Sequence, residues 1–251
     1  MDLPEHRERT PVVLLPGMMS GTPQWAEQVA DIAARRDVYT FDALGDTGLS
    51  PQTVPMTRYE DQAVWVEETL GGLGLARAHV VGHSFGGATG MIHAQRHPER
   101  VATLTLLEPA FTLDYPPPSI FFWATVATLP VPGSWRDRAL AEIGGVEPEE
   151  VAADEPVGRM IALGSEHFSG ALPTPSPRDD ATLRALPMPV YVGIAERSSL
   201  AGGQEAAQRA RLIPRARVET WPDTTHSLPF QTGPALVERL DAWWSESETG
   251  R

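Results

Sequence analysis

Ser84 sits in Val80-Val81-Gly82-His83-Ser84-Phe85-Gly86-Gly87, an apolar run closed by Gly-x-Ser-x-Gly and followed by the small residues Ala88 and Gly90. A serine that attacks as a nucleophile is best presented on a sharp strand-to-helix turn. That turn needs glycine on both sides, because a side chain two residues away collides with the neighbouring strand or helix. The turn is expected to leave Ser84 Oγ exposed at a helix N-terminus, where backbone N–H groups and the helix dipole favour developing negative charge. Attack by a hydroxyl also requires a base, and a neutral imidazole is the side chain that titrates in the right range.

Composition removes several other chemistries. The 251 residues include no cysteine, and all 20 basic residues are arginine. There is therefore no thiolate nucleophile, no disulfide framework, no cysteine-based metal site and no lysine for Schiff-base chemistry or pyridoxal phosphate. No cofactor is expected. His93 and His97 are four residues apart, but nothing adjacent in sequence completes a metal site with them. A net charge of −13 argues against nucleic acid or an anionic membrane as partner. The longest apolar run, Ile120 to Val131, contains Thr125, Thr128 and Pro130 and is too short to span a bilayer. Met1 to Thr10 carries charges and no apolar run, so no signal peptide is expected and the location expected is cytoplasmic.

The elements that must position Ser84 alternate. Thr10 to Leu15 reads as a strand buried on both faces, closed by Pro16-Gly17, and Trp25, Val29, Ile32 and Ala33 repeat at helical spacing. Val38 to Asp42 reads as a strand, Ala43 to about Pro55 as a loop, Glu60 to Leu73 as a helix, and His79 opens the strand that leads to Ser84. Val101 to Leu107 is a further strand, ending at Glu108-Pro109. After an irregular segment, alternation returns with a strand over 189–195, a helix over 204–212, a strand over 217–221, and a last helix with Leu236, Leu240, Trp243 and Trp244 on one face. The fold class expected is α/β, a mostly parallel sheet with helices on both faces. Residues 111–186, rich in proline and aromatics and acidic around 147–155, interrupt the pattern. They suggest a cap over a site, with a packing subdomain or a homodimer contact as alternatives. The chain divides accordingly into core residues 1–110, a cap over 111–186, and core residues 187–251.

Ligands of an open parallel sheet bind beyond the carboxyl ends of its strands. Pro16 to Met19, Ser84, Glu108, Glu196 to Ser199, and His226 all fall at such ends and could converge on one crevice. Here the chain resembles the α/β-hydrolase superfamily, from about Val12 to the last helix. Pro16-Gly17-Met18 is similar to its oxyanion loop, Asp42 to Ser50 to its Asp-x-x-Gly-x-x-x-x-Ser loop, Gly82 to Gly86 to its nucleophile elbow, and His226 to its histidine. Within the superfamily the chain most resembles bacterial carboxylesterases of bacilli, by Leu15-Pro16-Gly17, Gly45-Asp46 and the layout from Pro189 to Pro214.

The resemblance implies that Ser84 is the nucleophile and His226 the base, with an oxyanion hole formed by the backbone N–H groups of Met18 and Phe85. His83 then reads as the variable elbow position. Met18 and Met19 are expected either to line the pocket or to pack in the core. At the third position this sequence departs from the family. Most relatives place an acid a few residues past the strand corresponding to 189–195, and there this chain has Ser198. A serine carries no charge with which to orient an imidazole. Glu108, which ends the strand next after the elbow, is the leading replacement, with Glu196, Asp223 or no acid as alternatives. The chemistry implied is cleavage of an ester of a small hydrophobic substrate. A cyclase, an isomerase or a ligand-binding module using the same pocket is the alternative.

Overall fold

The computed structural model describes residues 9–152, 156–168, 170 and 172–250. Residues Met1 to Glu8, on which the signal-peptide reading mainly rests, and part of the acidic stretch over 147–155 lie outside them. Six strands form one sheet: β1 (Val12–Leu15), β2 (Val38–Thr40), β3 (Ala78–His83), β4 (Val101–Leu107), β5 (Val190–Ala195) and β6 (Ala216–Trp221). Their order is β2-β1-β3-β4-β5-β6, and every neighbouring pair is parallel. Helices α1 (Ala26–Ala33), α2 (Gln62–Gly72) and α3 (Phe85–Arg96) connect the first four strands. Five more lie between β4 and β5: α4 (Pro118–Thr128), α5 (Gly133–Gly144), α6 (Pro148–Ala152), α7 (Pro156–His167) and α8 (Asp180–Arg184). Helix α9 (Gly203–Ala210) joins β5 to β6, and α10 (Leu228–Glu248) closes the chain, kinked at Gly233-Pro234.

Continuous apolar strands and two-sided burial are the same fact here. Along β1, Val13 and Leu15 join one core with α2, α3 and α9, while Val12 and Leu14 join another with Trp25, Ile32 and the α10 residues Leu236, Leu240, Trp243 and Trp244. Successive side chains of a strand point to opposite faces, so both faces must be apolar once helices cover both. Strand β2 is shorter than its apolar run suggests. It lies at the sheet edge, and the chain leaves it at Phe41 so that the Asp42 carboxylate can accept the N–H groups of Thr22 and Leu49, each at 2.8 Å. Strand β1 likewise begins at Val12 and not Thr10, after Pro11, which has no N–H to give a ladder.

A buried arginine fastens the two ends of the described chain. Arg36 bonds Asp241 at 2.8 Å and Glu248 at 2.7 Å, and its guanidinium lies over the Trp244 ring. Glu248 is itself lightly buried, which pushes its carboxyl up, but bonds from Arg36 and His79 outweigh this and bring it down to about 2. No helix among the described residues is long and apolar enough to cross a membrane.

Candidate active site

Strand β3 delivers Ser84 at φ 53° and ψ −122°, a strained conformation that persists only because its surroundings fix it. The two flanking glycines are obligatory. A Cβ on Gly82 would lie 2.2 Å from Gly86 O, and one on Gly86 would lie 2.2 Å from Leu15 O. The elbow therefore packs backbone against backbone, with α3 starting directly on the end of β1. Contrary to expectation, Ser84 is not exposed but only 8% accessible, because the loops from three other strand ends close around it.

His226 lies between β6 and α10. Its Nε2 is 3.0 Å from Ser84 Oγ, and its Nδ1 is 3.3 Å from Glu108 Oε2. A carboxylate can only accept, so Nδ1 carries the proton, and Nε2 is left to accept the Ser84 hydroxyl. Glu108 ends β4 at φ 44° and is fully buried. Four neutral donors meet it: Ala195 N–H at 2.8 Å and Ser199 Oγ at 2.7 Å on Oε1, and Leu200 N–H at 2.8 Å and Ala201 N–H at 3.2 Å on Oε2. These bonds replace the water lost by burying a carboxylate. Of the acids left open by the sequence, Glu108 is the one beside Nδ1. Glu196 is exposed and accepts the N–H of Asp223 at 3.1 Å. Ser198 pairs with Thr225 in an isolated parallel bridge.

On the other side of Ser84, the ideal Cβ position of Gly17 lies 3.3 Å from Ser84 Cβ, which sets the Pro16-Gly17-Met18 loop against the elbow. The loop is held in place by side chains. Gln24 Oε1 accepts Gly17 N–H at 2.7 Å, and Asp46 Oδ2 accepts the N–H of Met19, a residue at φ 63°, at 2.8 Å. Burial pushes the Asp46 carboxyl up against the pull of the Met19 and Thr47 amides. Burial acts the same way on Asp42, but the Thr22 and Leu49 amides win and lower it. The Asp42 to Ser50 loop is thus a brace for the Met18 loop. Phe85 N–H, at the start of α3, belongs to the first turn, whose N–H groups have no partner within a helix.

Aromatic rings border the elbow. Phe85 meets Phe111 edge-on at 6.0 Å, and Phe111 meets Phe121 of α4 at 5.8 Å. Met18 is partly exposed, as a wall residue would be, and Met19 packs near Gly164 of α7. A cleft of about 740 Å³ is lined by Tyr115, Glu196, Arg197, Ser199 and Gln204 among others, and neither Ser84 nor His226 lines it. Ala195 and Ser199, which both donate to Glu108 Oε1, are among its lining residues and link it to that carboxylate.

Among the described residues no cluster of histidine and acidic side chains suits a metal ion. His93 and His97 both face Glu67, at 3.4 and 3.9 Å, but Arg100 bonds that carboxylate at 2.6 Å, which makes an ion-pair cluster. Gln24 carried no signal in the sequence, whereas Ser199, Asp46 and His83 lay within stretches that stood out there, Glu196 to Ser199, the Asp42 to Ser50 loop and the elbow, with no supporting role to be read for them.

A parallel sheet with a glycine-flanked serine elbow and a histidine after the last strand defines a known class. The family model for the alpha/beta hydrolase fold matches residues 10–143, and the chain belongs to that family. Among curated proteins it is similar to the uncharacterized carboxylesterase nap of Bacillus subtilis (strain 168), 36% identical over 103 residues, or 41% of this chain and 34% of that one. It is also similar to carboxylesterase YbfK of the same organism, 24% identical over 237 residues, or 91% of this chain and 78% of that one. The matched span covers only 34% and 38% of the length of the first two curated relatives. The crystal structure of naproxen esterase (carboxylesterase NP) from Bacillus subtilis superposes with a TM-score of 0.83 at 23% identity, over 96% of this chain and 85% of that one, a likeness of fold.

Proposed function

We propose that the protein is a serine hydrolase that cleaves carboxylic esters of small hydrophobic substrates through an acyl-enzyme. The observation that carries this reading is the line Ser84 Oγ, His226 Nε2, His226 Nδ1, Glu108 Oε2, with links of 3.0 and 3.3 Å. In this reading Ser84 Oγ attacks the ester carbonyl while His226 Nε2 takes its proton, and the Met18 and Phe85 N–H groups receive the oxyanion. His226 returns the proton to the leaving alkoxide. Water then enters, gives its proton to the same nitrogen and attacks the acyl carbon, and the acid is released as that proton passes to the departing Ser84 Oγ. Glu108 holds the imidazole in the reactive tautomer and stabilises its cation.

Residues 111–186 serve as a cap between core segments 1–110 and 187–251. Two contacts support this: α7 packs on the Met18 loop through Gly164 and Met160, and the end of α5 packs beside His226 through Gly145. The Phe85, Phe111 and Phe121 rings support an apolar substrate. Relatives called carboxylesterases support the ester as its reactive group.

The test is turnover of p-nitrophenyl acetate and butyrate, with labelling by a fluorophosphonate, in the wild type and in Ser84→Ala. Turnover and labelling that both vanish in Ser84→Ala are expected. A folded wild type that does neither would sink the reading and favour a non-hydrolytic use of the pocket.

A further inference from the structure

His83 occupies the variable position of the elbow, yet it is buried and directed at the base. Its Nε2 lies 2.9 Å from the main-chain oxygen of His226, and the two rings lie 4.9 Å apart and tilted by 30°. A carbonyl only accepts, so His83 is the Nε2–H tautomer. Nδ1 is then an unprotonated acceptor, buried without a partner among the described residues. It lies 3.3 Å from the ideal Cβ position of Gly17, which itself is 3.3 Å from Ser84 Cβ. One side chain thus bonds the loop of the base and borders the Pro16-Gly17-Met18 loop while its own backbone adjoins Ser84.

We propose that His83 is a positioning residue, whose Nε2–H clamps the His226 carbonyl and so fixes the distance from the base to Ser84. The proposal rests on the reading of His226 as the base. The physical case is one of leverage. His226 stands in irregular chain between β6 and α10, where no ladder or helical bond holds its carbonyl. The 3.0 Å link to Ser84 and the 3.3 Å link to Glu108 both depend on where that backbone lies. Displacing a reacting group by 1 Å can cost about 100-fold in rate. The clamp also stays neutral. Burial pushes the His83 imidazole down to about 3, a charge on His226 pushes it the same way, and the bond to the His226 carbonyl only partly opposes them. No second positive charge therefore competes when His226 takes the proton from Ser84.

The experiment compares the wild type with His83→Phe, His83→Gln and His83→Asn. Phenylalanine keeps a ring and loses the donor. Glutamine places an amide nitrogen as many bonds from Cα as Nε2, and asparagine places one only as far as Nδ1. Expected for His83→Phe is a fall in kcat of about 10- to 100-fold with KM unchanged within about twofold, and a parallel fall in the rate of fluorophosphonate labelling. Glutamine restores most of the loss and asparagine does not, at similar Tm. ¹⁵N NMR of the intact wild type is expected to report the Nε2–H tautomer of His83, unchanged from pH 5 to 8. His83→Phe within twofold of wild-type kcat, His83→Gln no better than His83→Phe, or an Nδ1–H tautomer overturns the clamp. If the wild type itself neither turns over esters nor takes the label, the hydrolase reading fails and takes the positioning role with it. The two failures are distinct, because in the first the wild type remains active.

Discussion

Glu108→Gln keeps the shape of the proposed acid and removes its charge, and the hydrogen bonds around it dictate the outcome. Oε2 takes the Leu200 and Ala201 N–H groups and faces His226 Nδ1, while Oε1 takes Ala195 N–H and the Ser199 hydroxyl. A glutamine NH₂ in the Oε2 position meets two donors head-on and offers its own proton to Nδ1. The ring proton then moves to Nε2, and Ser84 loses its acceptor. With NH₂ in the Oε1 position the ring keeps its tautomer, but Ala195 N–H is orphaned and the imidazolium still lacks its counter-charge. In a Ser-His-Asp triad the equivalent change lowers kcat by about 10⁴, or about 5 kcal/mol of barrier. One orphaned buried donor costs about 1–3 kcal/mol of stability, so the variant should fold. The assay is p-nitrophenyl butyrate turnover beside a thermal melt, with Glu196→Gln as a control expected within about twofold of the parent. A folded Glu108→Gln retaining more than a tenth of the parent kcat refutes the assignment, and a large loss in Glu196→Gln transfers the role.

Ser199→Ala removes one donor from Glu108 Oε1 and the acceptor of Gly203 N–H; kcat is expected to fall by about tenfold with KM unchanged, and equal kinetics would remove Ser199 from the support of the acid. Gly86→Ala forces a Cβ to within 2.2 Å of Leu15 O; a Tm lower by about 10 °C or no soluble protein is expected, and a Tm within 2 °C contradicts the packing. Arg36→Met takes the buried arginine from Asp241 and Glu248, which keep Arg35 at 3.4 Å and His79 at 3.2 Å; it should cost about 3 kcal/mol in denaturant unfolding, since both acids are partly exposed, and leave ester kinetics alone. Burial brings the imidazoles of His79 and His93 down to about 4 and that of His83 to about 3. The unfolded chain takes up these protons near pH 6.5 and the folded chain only at pH 4 or below, so this stability is complete above about pH 7 and drains as pH falls. A Tm that stays level or rises between pH 7.5 and 5 contradicts that sign.

The sheet was legible because burial on both faces turns strands into continuous apolar runs, and Val101 to Leu107 is bounded where its run is. The same continuity hid the faces. Nothing in Val12-Val13-Leu14-Leu15 tells which residues meet α10 and which meet α2 and α3. The edge strand was overread because Phe41 is apolar, while the residue that ends the ladder is Asp42, drawn away by two backbone amides. Ser84 and His226 were findable because the proposed chemistry needs those residue types at those strand ends. What holds them was not. The donors to Glu108 are three backbone N–H groups and one serine, and the acceptor of His83 is a carbonyl 143 residues away. Backbone groups are the same at every position and leave no trace in residue identity.

The proposed acid, Glu108, and the inserted helices belong to one packing arrangement. The α5 helix ends at Gly145, at φ 68°, where an added Cβ would lie 2.8 Å from both Ser198 Cβ and Thr225 Cβ. The hydroxyls of Thr225 and Ser227, on either side of His226, donate to Gly144 O at 2.9 and 3.2 Å. The end of α5 is therefore seated against residue 198 and grips the histidine loop from that side. A carboxylate reaching His226 from position 198 would have to share this space with the helix end. Glu108 reaches it from the end of β4, beneath the loop, where the turn after β5 supplies N–H groups to receive a buried charge. A small residue at 198 and glycine at 145 thus fit together, and Glu108 lies clear of both.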